Sequence, residues 1–353
     1  SEFYTSYTPY QPEVSQGTLQ AIYEFQSYVC ALFGMDVANA SMYDGASALA
    51  EAVLMACRIS KKDEIAISNL VHPRWRRAVK SYTKNRGIKI LEIEDHNAGT
   101  AAVDTIAEAI TQNCAAYVLQ SPNFFGNVEK LEEIGKLCAD KKVLFVVCVA
   151  EPVSLGLLKP PGDFGADIVV GEGQPLGLPL SYGGPYLGLF AARQKYLRQM
   201  PGRLCGQTKD ADGKKGFVLT LAAREQHIRR DKATSNICSN QQLCALTSSI
   251  FMTLLGSKGF GELARQNFYA AYALKEKLEA TGKAKSVYDK SFFNEFVVEL
   301  EEPAVTLNKR LAENNIIGGL ALSRFYTGMD NRMLFAATEK TTRAGIDKLL
   351  ENL

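Results

Sequence analysis

Hydrophobic and polar positions alternate with two different periods along the chain, and the switches between them outline its elements. Over 18–33 the residues Leu19, Ile22, Tyr23, Gln26, Val29 and Cys30 fall on one face at three-and-four spacing. This predicts an amphipathic helix closed by Gly34. A second, Ala- and Leu-rich helix is expected over 44–58, a strand over 64–68, a helix over 75–86 closed by Gly87, and a strand over 88–93. Helix 101–112, strand 115–120, helix 130–141, the wholly apolar strand 143–149 and a strand at 167–170 follow. Strands separated by helices of this length need crossover connections, so the pattern predicts a mostly parallel sheet covered on both faces.

The texture changes after Lys209. A polar turn at 210–216 precedes a strand at 217–221 and a charged block at 224–232. A long helical region over 240–281 leads to strand 292–300, helix 305–314, strand 333–337 and a terminal helix over 342–353. The expected organisation is an arm and helix (1–40), a large α/β domain (41–239), a connecting helix region (240–285) and a small α/β domain (286–353).

Composition narrows the function. At 353 residues the chain has room for a sizeable core, and 46% hydrophobic with 22% charged residues is the make-up of a globular protein. A net charge of +2, spread along the chain, argues against nucleic-acid binding. The longest unbroken apolar run, 143–150, is far short of the roughly 20 residues that span a bilayer, so no membrane span is expected. Gly173 to Ala192 is nearly uncharged but interrupted by three Pro and five Gly. The eight Cys show no Cys-x-x-Cys pair, which predicts no metal site and reduced thiols, hence a reducing, cytoplasmic setting. The first residues carry neither the basic nor the apolar segment of a signal peptide.

Three turns at strand or helix ends could carry chemistry. Tyr43-Asp44-Gly45-Ala46-Ser47 opens a helix, whose free N–H groups suit a phosphate, although Asp44 is equally a plain helix cap. His72 follows a strand at the edge where open α/β sheets bind ligands, with a structurally hydrogen-bonded loop histidine as the alternative. The segment 120–126 is again a strand end followed by turn residues.

Four longer stretches resemble a known family. They are Tyr7-Thr8-Pro9-Tyr10-Gln11-Pro12-Glu13-Val14-Ser15-Gln16-Gly17, Tyr43-Asp44-Gly45-Ala46, Pro161-Gly162-Asp163-Phe164-Gly165-Ala166-Asp167 and Arg224-Glu225-Gln226-His227-Ile228-Arg229-Arg230-Asp231-Lys232-Ala233-Thr234-Ser235-Asn236-Ile237-Cys238. Together they are similar to the amino-terminal half of the glycine cleavage system P-protein, glycine dehydrogenase (decarboxylating). The resemblance implies a pyridoxal-phosphate (PLP) transferase fold of type I, a mostly parallel sheet with a small C-terminal α/β domain. It also implies a split enzyme in which a chain like this is subunit 1. Subunit 2 then bears the PLP, glycine is decarboxylated, and the aminomethyl group passes to a lipoylated H-protein, with the subunits assembled as a heterotetramer.

The residues depart from the catalytic pattern of that family. Catalysis needs a Lys amine to bond the cofactor and a carboxylate at its ring nitrogen. In the catalytic half the Lys follows the Pro-Gly-Asp stretch beside a His; here Gln174 and Pro175 stand there, and no Lys occurs between Lys159 and Lys195. The strand 143–150 holds no Asp, Glu151 being the only nearby acid, and Asp44 would repel a phosphate. The expectation is therefore no catalytic residue and no covalent PLP in this chain, with Tyr43, Asp44, Gly45, Ser47 and His72 as a vestigial or interface site. Tyr7, Thr8, Tyr10, Gln11, Arg229, Lys232, Thr234, Ser235 and Asn236 are expected to complete the partner's site. Alone, the chain is expected to pair with itself. The rival readings are a PLP enzyme with a relocated Lys159, Lys195 or Lys232, and a non-enzymatic scaffold.

Overall fold

The computed structural model describes residues 11–238 and 240–353. Helix α1 (Gln16–Phe33) ends on Gly34, which takes a left-handed conformation, and is followed by a two-residue strand β1 (Val37–Ala38). Helix α2 (Gly45–Ser60) is almost wholly buried and starts from Asp44, whose carboxylate accepts the Ser47 N–H at 2.6 Å while the Ser47 hydroxyl accepts the Asp44 N–H at 3.2 Å. Such reciprocal capping fixes the helix start. Then come β2 (Glu64–Ser68), α3 (Pro73–Thr83), β3 (Lys89–Ile93), α4 (Val103–Ala109), β4 (Cys114–Gln120), α5 (Leu131–Asp140), β5 (Leu144–Val149), β6 (Ile168–Glu172) and β7 (Gly188–Ala192).

These strands form one seven-stranded sheet in the order β1-β7-β6-β5-β4-β2-β3. The block β6-β5-β4-β2-β3 is parallel, whereas β7 runs antiparallel to both β6 and β1. Every residue of β4 is buried, as two-sided coverage requires. One face packs α2 and α3 through Leu49, Val53 and Trp75; the other packs α1, α4 and α5 through Phe25, Phe33 and Ile134. Helix α4 is shorter than its pattern suggested, because Ile110 leaves the helical conformation.

A hairpin, β8 (Leu204–Lys209) with β9 (Lys215–Thr220), packs on α1, and the turn between its strands is closed by Asp210, which accepts the N–H groups of Asp212 and Lys214. The charged block forms only short turns, α6 (Gln226–Arg229) and the 3₁₀ turns Ala222–Arg224 and Arg230–Lys232 on either side of it. The long helix α7 (Gln242–Ala280) breaks at Gly256, whose φ of 59° and ψ of −178° lie outside helical values. Its length and hydropathy are those of a membrane span. Its two parts nevertheless pack on the domains: Ala245 and Met252 join the large core, and Ala271, Leu274 and Leu278 join the small one.

The small domain comprises β10 (Ala284–Ser286), β11 (Glu295–Leu300), α8 (Ala304–Glu313), β12 (Leu320–Ala321), β13 (Arg332–Ala336) and α9 (Arg343–Glu351). Its antiparallel sheet has the order β10-β11-β13-β12. A cluster of Leu70, Phe124 and Phe125 with Val297, Tyr326 and Met329 locks it to the large domain, and the Tyr326 hydroxyl donates to the Asn69 carbonyl at 2.7 Å.

Candidate functional site

The carboxyl ends of β4, β5 and β6 face the small domain across a cavity of about 540 Å³. Its walls include Asp44, His72, Trp75, Gln120, Phe124, Glu151 and Glu172 from the large domain, and Glu295, Arg324 and Phe325 from the small one. Strand ends supply the polar groups because the crossover pattern directs every parallel strand toward this edge.

At the start of α2 two of the first three backbone donors are already engaged. The Gly45 N–H donates to Glu172 Oε2 at 3.0 Å, and Ser47 N–H to Asp44. Glu172 Oε1 accepts from Gln174 N–H at 3.0 Å and Leu187 N–H at 3.2 Å. The Trp75 indole covers the same turn so closely that a Cβ on Gly45 would lie 2.3 Å from a ring carbon. Two carboxylates thus stand where an anion-binding helix terminus would receive a phosphate. Burial is the main cause that pushes Glu172 up to about 7, with Asp44 adding to it against the three backbone bonds.

The structure places His72 both at the cap of α3 and in the cavity wall. Its Nδ1 accepts the Arg74 N–H at 3.2 Å and caps α3, while its ring lines the cavity edge-on to Phe124 at 4.9 Å. Burial, then Arg74 and Arg76, push it down to about 4, so the ring is neutral at pH 7. The His72 backbone N–H donates to Gln120 Oε1 at 2.8 Å. Gln174 is turned aside, its side-chain amide donating to the Leu178 carbonyl at 2.7 Å, and neither it nor Pro175 lines the cavity.

The cavity walls contain no Lys. Lys159 and Lys232 are exposed elsewhere, and Lys195 pairs with Asp167 at 3.4 Å. With no amine to bond it and the anion turn filled by carboxylates, the cavity does not fit PLP.

The segment 229–236 lies apart from this cavity. Thr234, Ser235 and Asn236 join Tyr43, Tyr82, Arg86 and Glu51 around a surface recess of about 420 Å³. Glu51 is 4% exposed and bonds Ser235; burial raises its pKa, partly offset by that bond and by Arg58 and Arg86. The segment is tied down by Arg224, which donates to the Met200 and Gly202 carbonyls. Thr234 N–H also donates to the Arg224 carbonyl at 3.1 Å. Lys232, between the lining residues Asp231 and Ala233, is exposed, and so is Arg229. Tyr43 therefore lines this recess, whereas Asp44, the next residue, lines the cavity. Gln11 is exposed at the start of a short turn, and Tyr7, Thr8 and Tyr10 lie outside the described residues. The pattern alone missed Glu172, Glu295 and Arg324; an acid closing an apolar strand was the one available signal, and it pointed to Glu172.

This large parallel sheet with a small C-terminal domain is the type I fold of PLP-dependent enzymes. A NifS-like protein shares it at a TM-score of 0.72 and 12% identity, over 99% of this chain and 91% of that one. The chain belongs to the glycine cleavage system P-protein family, whose model matches residues 1–353. It is 53% identical over 353 residues to a probable glycine dehydrogenase (decarboxylating) subunit 1 of Desulfitobacterium hafniense, covering all of this chain and 79% of the relative. A Bacillus licheniformis protein of the same description is 52% identical, with 78% of it covered. The solved structure of a glycine decarboxylase (P-protein) of the glycine cleavage system, in inhibitor-bound form, superposes with a TM-score of 0.94 at 42% identity, over 100% of this chain and 80% of that one.

Proposed function

We propose that this chain is the cofactor-free subunit 1 of a split glycine decarboxylase, acting in the cytoplasm as part of a heterotetramer. Subunit 2 holds the PLP, which serves as the electron sink for loss of CO₂ from glycine. The aminomethyl group is then taken by the lipoyl arm of the H-protein.

The observation that carries this reading is the Glu172 carboxylate on the Gly45 N–H, 3.0 Å away, in a cavity whose lining offers no Lys. A helix start already satisfied by the chain's own carboxylate has no reason to recruit a phosphate. The relocated-lysine reading has no support in the geometry, since Lys159, Lys195 and Lys232 are all absent from the cavity lining.

What the chain can offer a partner is the recess at Tyr43 and Thr234 to Asn236, with the Lys232 cation at its side and the exposed Arg229 in the same segment. Hydroxyl, amide and cationic groups on a surface suit a partner's phosphate or substrate carboxylate. Co-expression with the catalytic subunit tests the assignment. Glycine-dependent CO₂ exchange should need both chains, and borohydride should fix PLP to subunit 2 alone. Cofactor fixed to a Lys of this chain would overturn it.

A further inference from the structure

We propose that the cavity between the two domains binds a small zwitterion, an amine that also carries a carboxylate, with its ammonium on Glu151 and Glu295 and its carboxylate toward Arg74 and Arg324.

The two acids come from different domains, Glu151 just beyond β5 and Glu295 at the start of β11, and both line the cavity. Glu151 accepts the Val153 N–H at 3.0 Å and a long contact of 3.5 Å from the Asn294 amide. Among the described residues the Glu295 carboxylate makes no hydrogen bond and no salt bridge. Among the described residues neither acid is in a salt bridge; besides burial, the charge that bears on Glu295 is Glu151, and the charge that bears on Glu151 is Glu339. Two carboxylates left together without a counter-ion are costly, and an ammonium between them removes that cost.

The opposite charge is displayed at the rim. Arg74 and Arg324 line the same cavity, are exposed, and among the described residues make no salt bridge. Asp44 and Glu172 also face the space; Glu172 is held by three backbone N–H groups, and Asp44 holds the Ser47 N–H through Oδ1. His72 is neutral and adds no charge. Between floor and rim, the rings of Phe124 and Phe325 offer apolar contact for a short carbon chain. Because the floor is shared between domains, the ligand would bridge them. The inference concerns this chain's own cavity and does not depend on which subunit holds the cofactor.

The test is calorimetric titration of the full chain, without subunit 2 so that a catalytic glycine site contributes nothing. Glycine, β-alanine and 4-aminobutyrate vary the separation of the two charges; methylammonium and acetate present each charge alone. At least one zwitterion should bind saturably and at least about tenfold more tightly than either single-charge probe. Glu295→Gln and Arg324→Met, each confirmed folded by circular dichroism, should each weaken that binding by at least about tenfold. No saturable binding by any of the three, methylammonium binding as tightly, or affinity unchanged in the variants would overturn the proposal.

Discussion

The Glu172 carboxylate is bound to the backbone N–H of Gly45, a residue 127 positions earlier in the chain, at 3.0 Å. The contact joins the end of β6 to the start of α2, and the same side chain also receives the N–H groups of Gln174 and Leu187. One acid thereby satisfies three backbone donors that would otherwise need water or a ligand.

Glu172→Ala should accordingly lower stability. Each buried donor left without a partner costs about 1 to 3 kcal/mol, and water entering the cavity can replace part of that. A loss of about 2 kcal/mol in urea unfolding is expected, with partial recovery when inorganic phosphate is added, because the helix start becomes available to an anion. Unchanged stability would mean that the three contacts are dispensable.

The tight fit of the Trp75 indole against Gly45 gives a second expectation. A methyl at position 45 would sit 2.3 Å from the ring, which is rigid and itself packed in the core. Gly45→Ala should therefore destabilise the fold by about 1 to 3 kcal/mol, the usual range for overpacking, even though Ala is ordinarily the better helix former. Gly45→Ala combined with Trp75→Phe should recover part of the loss, as measured by thermal or urea unfolding.

The sheet and its helices were legible because their residues are neighbours in sequence and keep a fixed period. Strand β7 was not, since Gly173 to Ala192 reads as a Gly- and Pro-interrupted run; only the five buried residues from Gly188 to Ala192 find a place between β6 and β1. Strand β8 ends in three exposed residues, so it carries no apolar signature to read. The site followed the same logic. Asp44 and His72 announced themselves as residues at the ends of elements, whereas Glu295 and Arg324 reach the cavity from another domain, and no local pattern encodes that approach.

Titration of the cavity acids should appear in the pH dependence of stability. Burial and Glu151 push Glu295 from its ordinary 4.5 up to about 7. Between these values the folded chain holds more protons than the unfolded one, so this group's contribution is fully present below pH 4.5 and is lost as pH rises through 7. His72, lowered to about 4 from 6.5, acts in the opposite direction over an overlapping window. The difference between the native chain and Glu295→Gln isolates the carboxylate. The variant should be the relatively more stable of the two at pH 8, with the gap closing toward pH 4.5. A gap independent of pH would contradict the assignment.

The last expectation concerns the recess at 234–236 and distinguishes a contribution to catalysis from mere packing. Asn236 and Lys232 are exposed, and among the described residues their side chains make no hydrogen bond or ion pair, so removing them leaves the domain's described contacts intact. If they face a partner's reacting groups, Asn236→Ala and Lys232→Ala should each lower glycine decarboxylation in the reconstituted complex by at least about tenfold, roughly 1.4 kcal/mol of transition-state stabilisation, with assembly unchanged. Ser235→Ala has a different signature. Its loss removes the hydrogen bond to buried Glu51 as well, so stability and activity should fall together. Size-exclusion, unfolding and kinetics on the same samples separate the two cases. Full activity in Asn236→Ala and Lys232→Ala would place the recess outside the reaction, and loss of assembly would make it a contact between subunits.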